Sequence, residues 1–297
     1  GEYHGDLFLI TIGIEVTDPP IELEPTEMNG GIFTAIVSEL DVPILQTDDL
    51  EQRLLEYVFY PVEENVELLD MQVVAQFFQR IAFFRINPAS SLVLDANLGL
   101  RAATAAILGT PQARALAWST KTVDRISFMV RDPAERAPFH LILRALTETR
   151  DDAAFLALYR CVEQLFPIPA MVKLSAELGL GNPAFHVALV IERHLGWRRR
   201  EEDAMAHLFG ELDSELIDRM LLTVGAVAQE EKASKAVSKR IYELRNQCVH
   251  YRPVHTENAA MPFHNWLALA DLMLEAIQCL YAKYIYEFDD LRPQAAA

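Results

Sequence analysis

The chain has 297 residues, 51% of them apolar, and a formal net charge of −17 from 43 acidic and 26 basic side chains. That length suits about two domains with real hydrophobic cores, and the apolar fraction argues against a disordered chain. The charge argues against a protein that coats nucleic acid through bulk electrostatics. The second half is nevertheless the less acidic, and it gathers its basic residues at Arg198, Arg199 and Arg200, then at Lys232, Lys235, Lys239, Arg240 and Arg245.

From the N-terminus, GEYHGDLFLITIGIEV has neither a basic n-region nor an A-x-A site, which predicts that it is not a signal peptide. DLFLITIGIEV and GIFTAIVSEL are rich in β-branched residues and bounded by DPP and NGG, so both read as strands, with Asn-Gly as a hairpin turn. DDLEQRLLEYVFY reads as a helix capped by Asp48 or Asp49, with apolar spacing at Leu50, Leu54, Leu55 and Val58. MQVVAQFFQRIAFF reads as a helix whose aromatic end can turn into a strand. SSLVLDA, ARALAWST and VDRISFMVRD read as short strands around an Ala-rich helix, LRAATAAIL.

From about residue 149 the pattern changes to a period of 3.6 throughout. FLALYRCVEQLF, MVKLSAELGL, PAFHVALVIERHLGW, EDAMAHLFGEL, SELIDRMLLTVGAVAQ, KAVSKRIYELRNQCVH and HNWLALADLMLEAIQCLYAKYIYEF follow one another with short breaks. These predict a bundle of six or seven helices ending in two long ones. The expected fold class is therefore α+β: a mixed α+β domain over 1–148, then an all-α bundle over 149–297. No run of about 18 uninterrupted apolar residues predicts a membrane span. Three widely spaced cysteines, Cys161, Cys248 and Cys279, predict reduced thiols and a cytoplasmic location.

The phosphate loops of P-loop and Rossmann proteins, H-E-x-x-H and G-x-S-x-G are all missing from the sequence, which argues against those chemistries. His250, His255 and His264 fall close together, but no Cys pair or carboxylate set completes a metal-ligand spacing, so no metal and no cofactor is expected. The basic run from Lys232 to Arg240 suits either an RNA backbone or a solvated helix face shared with Glu230, Glu231 and Glu243. The aromatics of YAKYIYEF (Tyr281, Tyr284, Tyr286, Phe288) read as core or dimer packing.

The segment with the strongest claim on chemistry is RNQCVH, residues 245–250, at the end of a helical pattern. Asn246 and His250, four apart, share a helix face, whereas Arg245 and His250 lie about 140° apart. Leu244 and Cys248 form an apolar flank. The residues alone allow a plain reading, in which Arg and His stabilise the negative end of a helix dipole. They also allow a catalytic one. Arginine presents a permanent planar cation to phosphate oxygens, and histidine exchanges protons near neutral pH.

RNQCVH within IYELRNQCVHYR resembles the R-x(4–6)-H motif of HEPN domains, in the form iY-x-lRN-x-x-VH-f/y-r of Apea-like and abortive-infection proteins. FLALYRCVEQLF resembles the opening helix of such domains, with its lYr-x-lE-x-lf pattern. The resemblance covers roughly residues 149–290. It implies a metal-independent endoribonuclease that cleaves RNA through its own 2′-hydroxyl, acting as a toxin or antiviral-defence effector. It also implies a homodimer formed through the helical domain, with two motifs facing each other. In that reading Arg245 clamps phosphate, His250 transfers protons, Asn246 orients the phosphate or the His250 ring, and Glu163 positions Arg245 or tunes His250. Tyr251 and Arg252 are candidate RNA-binding residues. The N-terminal domain would sense a trigger or regulatory partner, without a membrane. The alternative is a HEPN-like bundle without activity that serves dimerisation or partner binding. The 140° separation predicts that an active site would need two chains.

Overall fold

The computed structural model describes residues 1–45, 49, 52, 71–94, 97–110, 118–196, 200–228, 232–249 and 263–288. The chain divides into two compact units, Gly1–Pro111 and Gln112–Ala297. The class is mixed, with a small sheet in the first unit and helices dominating the second.

The first unit is built on an antiparallel sheet of β1 (Glu2–Tyr3), β2 (Asp6–Ile12), β3 (Leu23–Pro25) and β4 (Ile81–Ile86), in the order β1-β2-β4-β3. Strand β2 pairs with β4 from Phe8↔Arg85 to Ile12↔Ile81. This register leaves Phe8 diagonal to Phe83, and their rings stack 4.4 Å apart. Helix α1 (Gly30–Glu39) covers that face, with Ile36 joining Phe8, Val42 and Phe83 in the core. GIFTAIVSEL, expected as a strand, is this helix. Asn29 caps it by accepting from Ile32 N at 2.9 Å, so the Asn-Gly pair starts a helix instead of turning a hairpin.

MQVVAQFFQRIAFF splits as its composition allows, into the short helix α2 (Met71–Ala75) and strand β4. SSLVLDA, expected as a strand, forms a 3-10 turn over Ser91–Leu94. The Ala-rich helix is α3 (Leu98–Leu108). The expected helix DDLEQRLLEYVFY, apart from Asp49 and Gln52, and residues 113–117 of ARALAWST lie outside the described residues. The end of the latter, expected as a strand, supplies the N-cap Ser119 and first residue Thr120 of the next helix.

The second unit starts with α4 (Thr120–Arg131) and α5 (Phe139–Thr147). VDRISFMVRD, expected as a strand, is most of α4. Ser119 caps that helix by accepting from Thr122 N, and Thr122, Ile126, Met129 and Val130 are buried at helical spacing. Both helices precede the boundary expected at 148. They belong to the helical unit because α5 packs on α6 (Asp151–Glu163) and α4 packs on the last long helix.

Then come α7 (Ile168–Leu178), α8 (Ala184–Leu195), α9 (Glu201–Phe209), α10 (Ser214–Val224), α11 (Ala233–Val249) and α12 (Trp266–Lys283). No strand occurs among the described residues of this unit. Three of its described helices stop at Gly179, Gly196 and Gly225, whose φ of 63°, 61° and 65° place the chain in the left-handed region that favours glycine.

The core of the second unit joins Phe155, Leu158 and Val162 of α6 to Val237, Ile241 and Leu244 of α11 and to Met273, Ile277 and Leu280 of α12. Tyr281 is buried and donates to the Cys161 carbonyl at 3.0 Å, and Tyr284 is buried too, whereas Tyr286 is exposed. Among the described residues only Asp151–Leu178 has the length and mean hydropathy, 1.2, of a membrane span. It comprises two helices separated by a turn at Pro167, and 61% of the apolar window is buried inside the protein.

Candidate active site

Three helices converge on Arg245. It lies one turn before the end of α11; Glu163 is the last residue of α6, and Glu201 is the first of α9. The α11 backbone fixes the approach, because Ile241 and Leu244 are fully buried while Arg245 and Asn246 sit at the rim of that stripe. A guanidinium on a half-buried helix edge must find acceptors, and it finds two. Arg245 Nη1 donates to Asn246 Oδ1 at 3.0 Å, and Nη2 donates to Glu163 Oε1 at 3.4 Å. The second contact is long for a hydrogen bond and acts chiefly as an ion pair. Glu201 Oε2 lies 3.8 Å from the same Nη2, an ion-pair distance without a hydrogen bond.

Tyr159, one turn before Glu163 on the same face of α6, completes the setting. The Arg245 guanidinium carbon sits 5.8 Å from the centre of its ring, within reach of a cation–π contact. The Tyr159 hydroxyl is buried without a hydrogen-bond partner among the described residues. Burial and the neighbouring Glu163 and Glu201 charges push this phenol well above its ordinary pKa, so it remains a neutral donor.

Burial also raises the Glu163 carboxyl, with Glu201 adding to the shift, while Arg245 pulls the other way without cancelling it. The cluster thus holds one cation against two carboxylates, one of which gives up its charge more easily than a free glutamate. Cys248 is half-buried, and burial pushes its thiol up to about 11, which keeps it protonated and suits packing.

The structure therefore brings together three of the residues singled out in the sequence, Arg245, Asn246 and Glu163. His250, Tyr251 and Arg252 lie outside the described residues. Two further members of the cluster, Tyr159 and Glu201, escaped the sequence reading. Tyr159 had a signal, since it stands four residues before Glu163 in YRCVE and so shares its helix face. Glu201 had none, because only the packing of α9 on α11 brings it near.

Of the basic run, Arg240 pairs with Glu243 at 3.1 Å, as a helix-face ion pair does. Arg198 and Arg199 lie outside the described residues. No group of three or more His, Cys, Asp or Glu placed to hold a metal ion occurs among the described residues.

The arrangement can orient a guanidinium and hold it at a helix end that continues in sequence directly into His250. Arg245 gives only part of its donor fork to Asn246 and Glu163, so N–H groups remain for an oxyanion. Comparisons of the chain with protein-family models, with curated proteins and with solved structures return no match.

Proposed function

We propose that the protein is a metal-independent endoribonuclease of the HEPN kind, which cleaves RNA by attack of its own 2′-hydroxyl on the adjacent phosphate. The observation that carries this reading is Arg245 itself. It is held by Asn246 and Glu163 over Tyr159, five residues before His250. In the proposed reaction His250 accepts the 2′-hydroxyl proton as the oxygen bonds to phosphorus, and the same or a second histidine returns a proton to the departing 5′-oxygen. The P–O5′ bond breaks, leaving a 2′,3′-cyclic phosphate and a 5′-hydroxyl. Arg245 stabilises the charge that builds on the non-bridging oxygens. Asn246 and Glu163 position Arg245, and Tyr251 and Arg252 grip the flanking RNA. Neither a metal nor a cofactor takes part.

Within this proposal the active form is a homodimer through the helical unit, working in the cytoplasm as a toxin or defence effector. The first unit senses the trigger. The test compares wild type with Arg245→Ala and His250→Ala for growth arrest on expression, and for cleavage of total RNA in the presence of a chelator. Each substitution is expected to slow cleavage by at least about 10²-fold and to relieve arrest. Equal cleavage by the variants, or cleavage that requires added metal, removes the reading.

A second reading has its own supporting observation. Two carboxylates lie within ion-pair distance of Arg245, enough to neutralise its single charge without RNA. A bundle of this kind that only dimerises or binds a partner would use Arg245 as a structural ion pair. In that case both substitutions alter stability or assembly, and the wild type cuts no RNA.

A further inference from the structure

A second set of charges in the helical unit shares no residue with the Arg245 cluster. Helices α4, α10 and α12 line a cleft of about 370 Å³, at the small end of the range in which proteins hold small molecules. Lys121 and Arg125, one turn apart on α4, and Arg219 on α10 supply three cations, against Asp271 and Glu275 on α12. Glu275 bridges the two arginines. It accepts from Arg125 Nη2 at 2.9 Å and from Arg219 at 2.5 and 3.2 Å, with Lys121 Nζ 3.9 Å away. Arg125 also donates to Gln278 at 2.7 Å, and Asp271 accepts from the Thr122 hydroxyl.

An internal ion-pair network accounts for Glu275, yet the cleft lining holds three cations to two carboxylates and leaves donors over, while Glu215 and Asp213 act on Arg219 from outside the lining. The Arg219 Nε is buried with no hydrogen-bond partner among the described residues. Two guanidinium forks share a single carboxylate, and the Lys121 side chain is 71% exposed. Burial alone would raise the Glu275 carboxyl, but the Arg219 hydrogen bond and the charges of Arg125, Arg219 and Lys121 outweigh it and hold the group below the usual value. Glu275 therefore stays ionised and marks what the cleft grips, an oxyanion between guanidinium forks. A carboxylate offers two oxygens. A terminal phosphate offers three, one for each cation, and the rest of the lining includes Leu222, Ala268 and Leu272, which suit an apolar body.

We propose that this cleft binds a small phosphate monoester, with its terminal oxygens on Arg125, Arg219 and Lys121 and its organic part against Leu222, Ala268 and Leu272. This site does not depend on the Arg245 reading, and its test measures binding, not cleavage. Full-length protein is titrated calorimetrically with inorganic phosphate, with adenosine monophosphate and with acetate. Saturable binding of phosphate, tighter binding of the nucleotide and none of acetate are expected.

Arg219→Gln and Lys121→Gln are each expected to weaken binding, Arg219→Gln by at least about tenfold. Glu275→Gln is expected to tighten it, because the internal competitor for both arginines is gone. Circular dichroism confirms that each variant is folded, and the exposed Lys121 supplies a readout should Arg219→Gln unfold. The proposal falls if wild type shows no saturable binding with a Kd below about 10 mM, or if acetate binds as well as phosphate. It also falls if folded Arg219→Gln and Lys121→Gln bind like wild type, or if folded Glu275→Gln binds more weakly.

Discussion

Glu163 is the residue whose environment makes the sharpest statement about the site. Its carboxyl is raised by burial in spite of Arg245, so the folded protein releases this proton less readily than the unfolded chain. Stability from this group is complete below the ordinary glutamate pKa and declines as pH rises through the interval up to the raised value. Glu163→Gln removes the titration, and its unfolding midpoint is expected to vary less than wild type between about pH 4 and about pH 7.5. Arg245→Ala acts in the opposite direction. Glu163 and Glu201 lose their common cation, so the variant is expected to lose about 1–2 kcal/mol near neutral pH, between the exposed-pair and buried-pair limits. The loss shrinks in acid, where Glu163 is protonated in both proteins. Urea titrations at the two pH values measure both effects; a loss for Arg245→Ala that is equal at both would show that Arg245 does not hold the charge of Glu163.

At the scale of elements, a backbone contact in the first unit gives a direct test of how α3 is seated. Gly109, at the C-terminal end of α3, accepts through its carbonyl from Thr17 N, Asp18 N and the Thr17 hydroxyl. A Cβ added there would lie 2.2 Å from the Asp18 carbonyl oxygen, a backbone atom that cannot swing aside. Gly109→Ala is therefore expected to destabilise by about 1–3 kcal/mol or more, seen as a lower thermal midpoint, whereas Gly99→Ala meets open space and costs little. No sequence pattern announces this contact, because it joins a helix end to a loop some ninety residues earlier. The period-3.6 segments after residue 149 were legible for the opposite reason: each helix carries its own buried stripe, so local spacing fixes its type. The failures at α1 and α4 came where β-branched and aromatic residues suggested strands while Asn29 and Ser119 held caps. In α4 the spacing of Ile126, Met129 and Val130 was helical all along, and packing overrode propensity. Site residues divide in the same way. Arg245, Asn246 and Glu163 lie in motifs readable along the chain, while Glu201 and the Arg125–Arg219–Glu275 cluster arise only when separate helices meet.

For the whole molecule the question is how many chains the proposed active site needs. Arg245 is directed toward α6 and α9, where Glu163, Glu201 and Tyr159 hold it. Helical spacing in the sequence sets positions 245 and 250 about 140° apart, which is the ground for expecting that one chain does not bring Arg245 and His250 to one phosphate. The proposed reaction then needs Arg245 of one protomer beside His250 of another, and subunit mixing tests this. Arg245→Ala and His250→Ala proteins, each inactive alone, are unfolded together, refolded as a mixture and assayed for RNA cleavage. A mixed dimer retains one intact arginine and one intact histidine on different chains, so the mixture is expected to recover activity, up to roughly a quarter of wild type. That figure follows if half the dimers are mixed and each carries one of two sites, an order-of-magnitude value for random pairing of a two-fold symmetric dimer. Recovery that saturates with the ratio of the two variants would place the site across the interface. A mixed dimer, verified by differential tagging, that stays as inactive as its parents would place Arg245 and His250 within one chain and overturn the shared-site proposal.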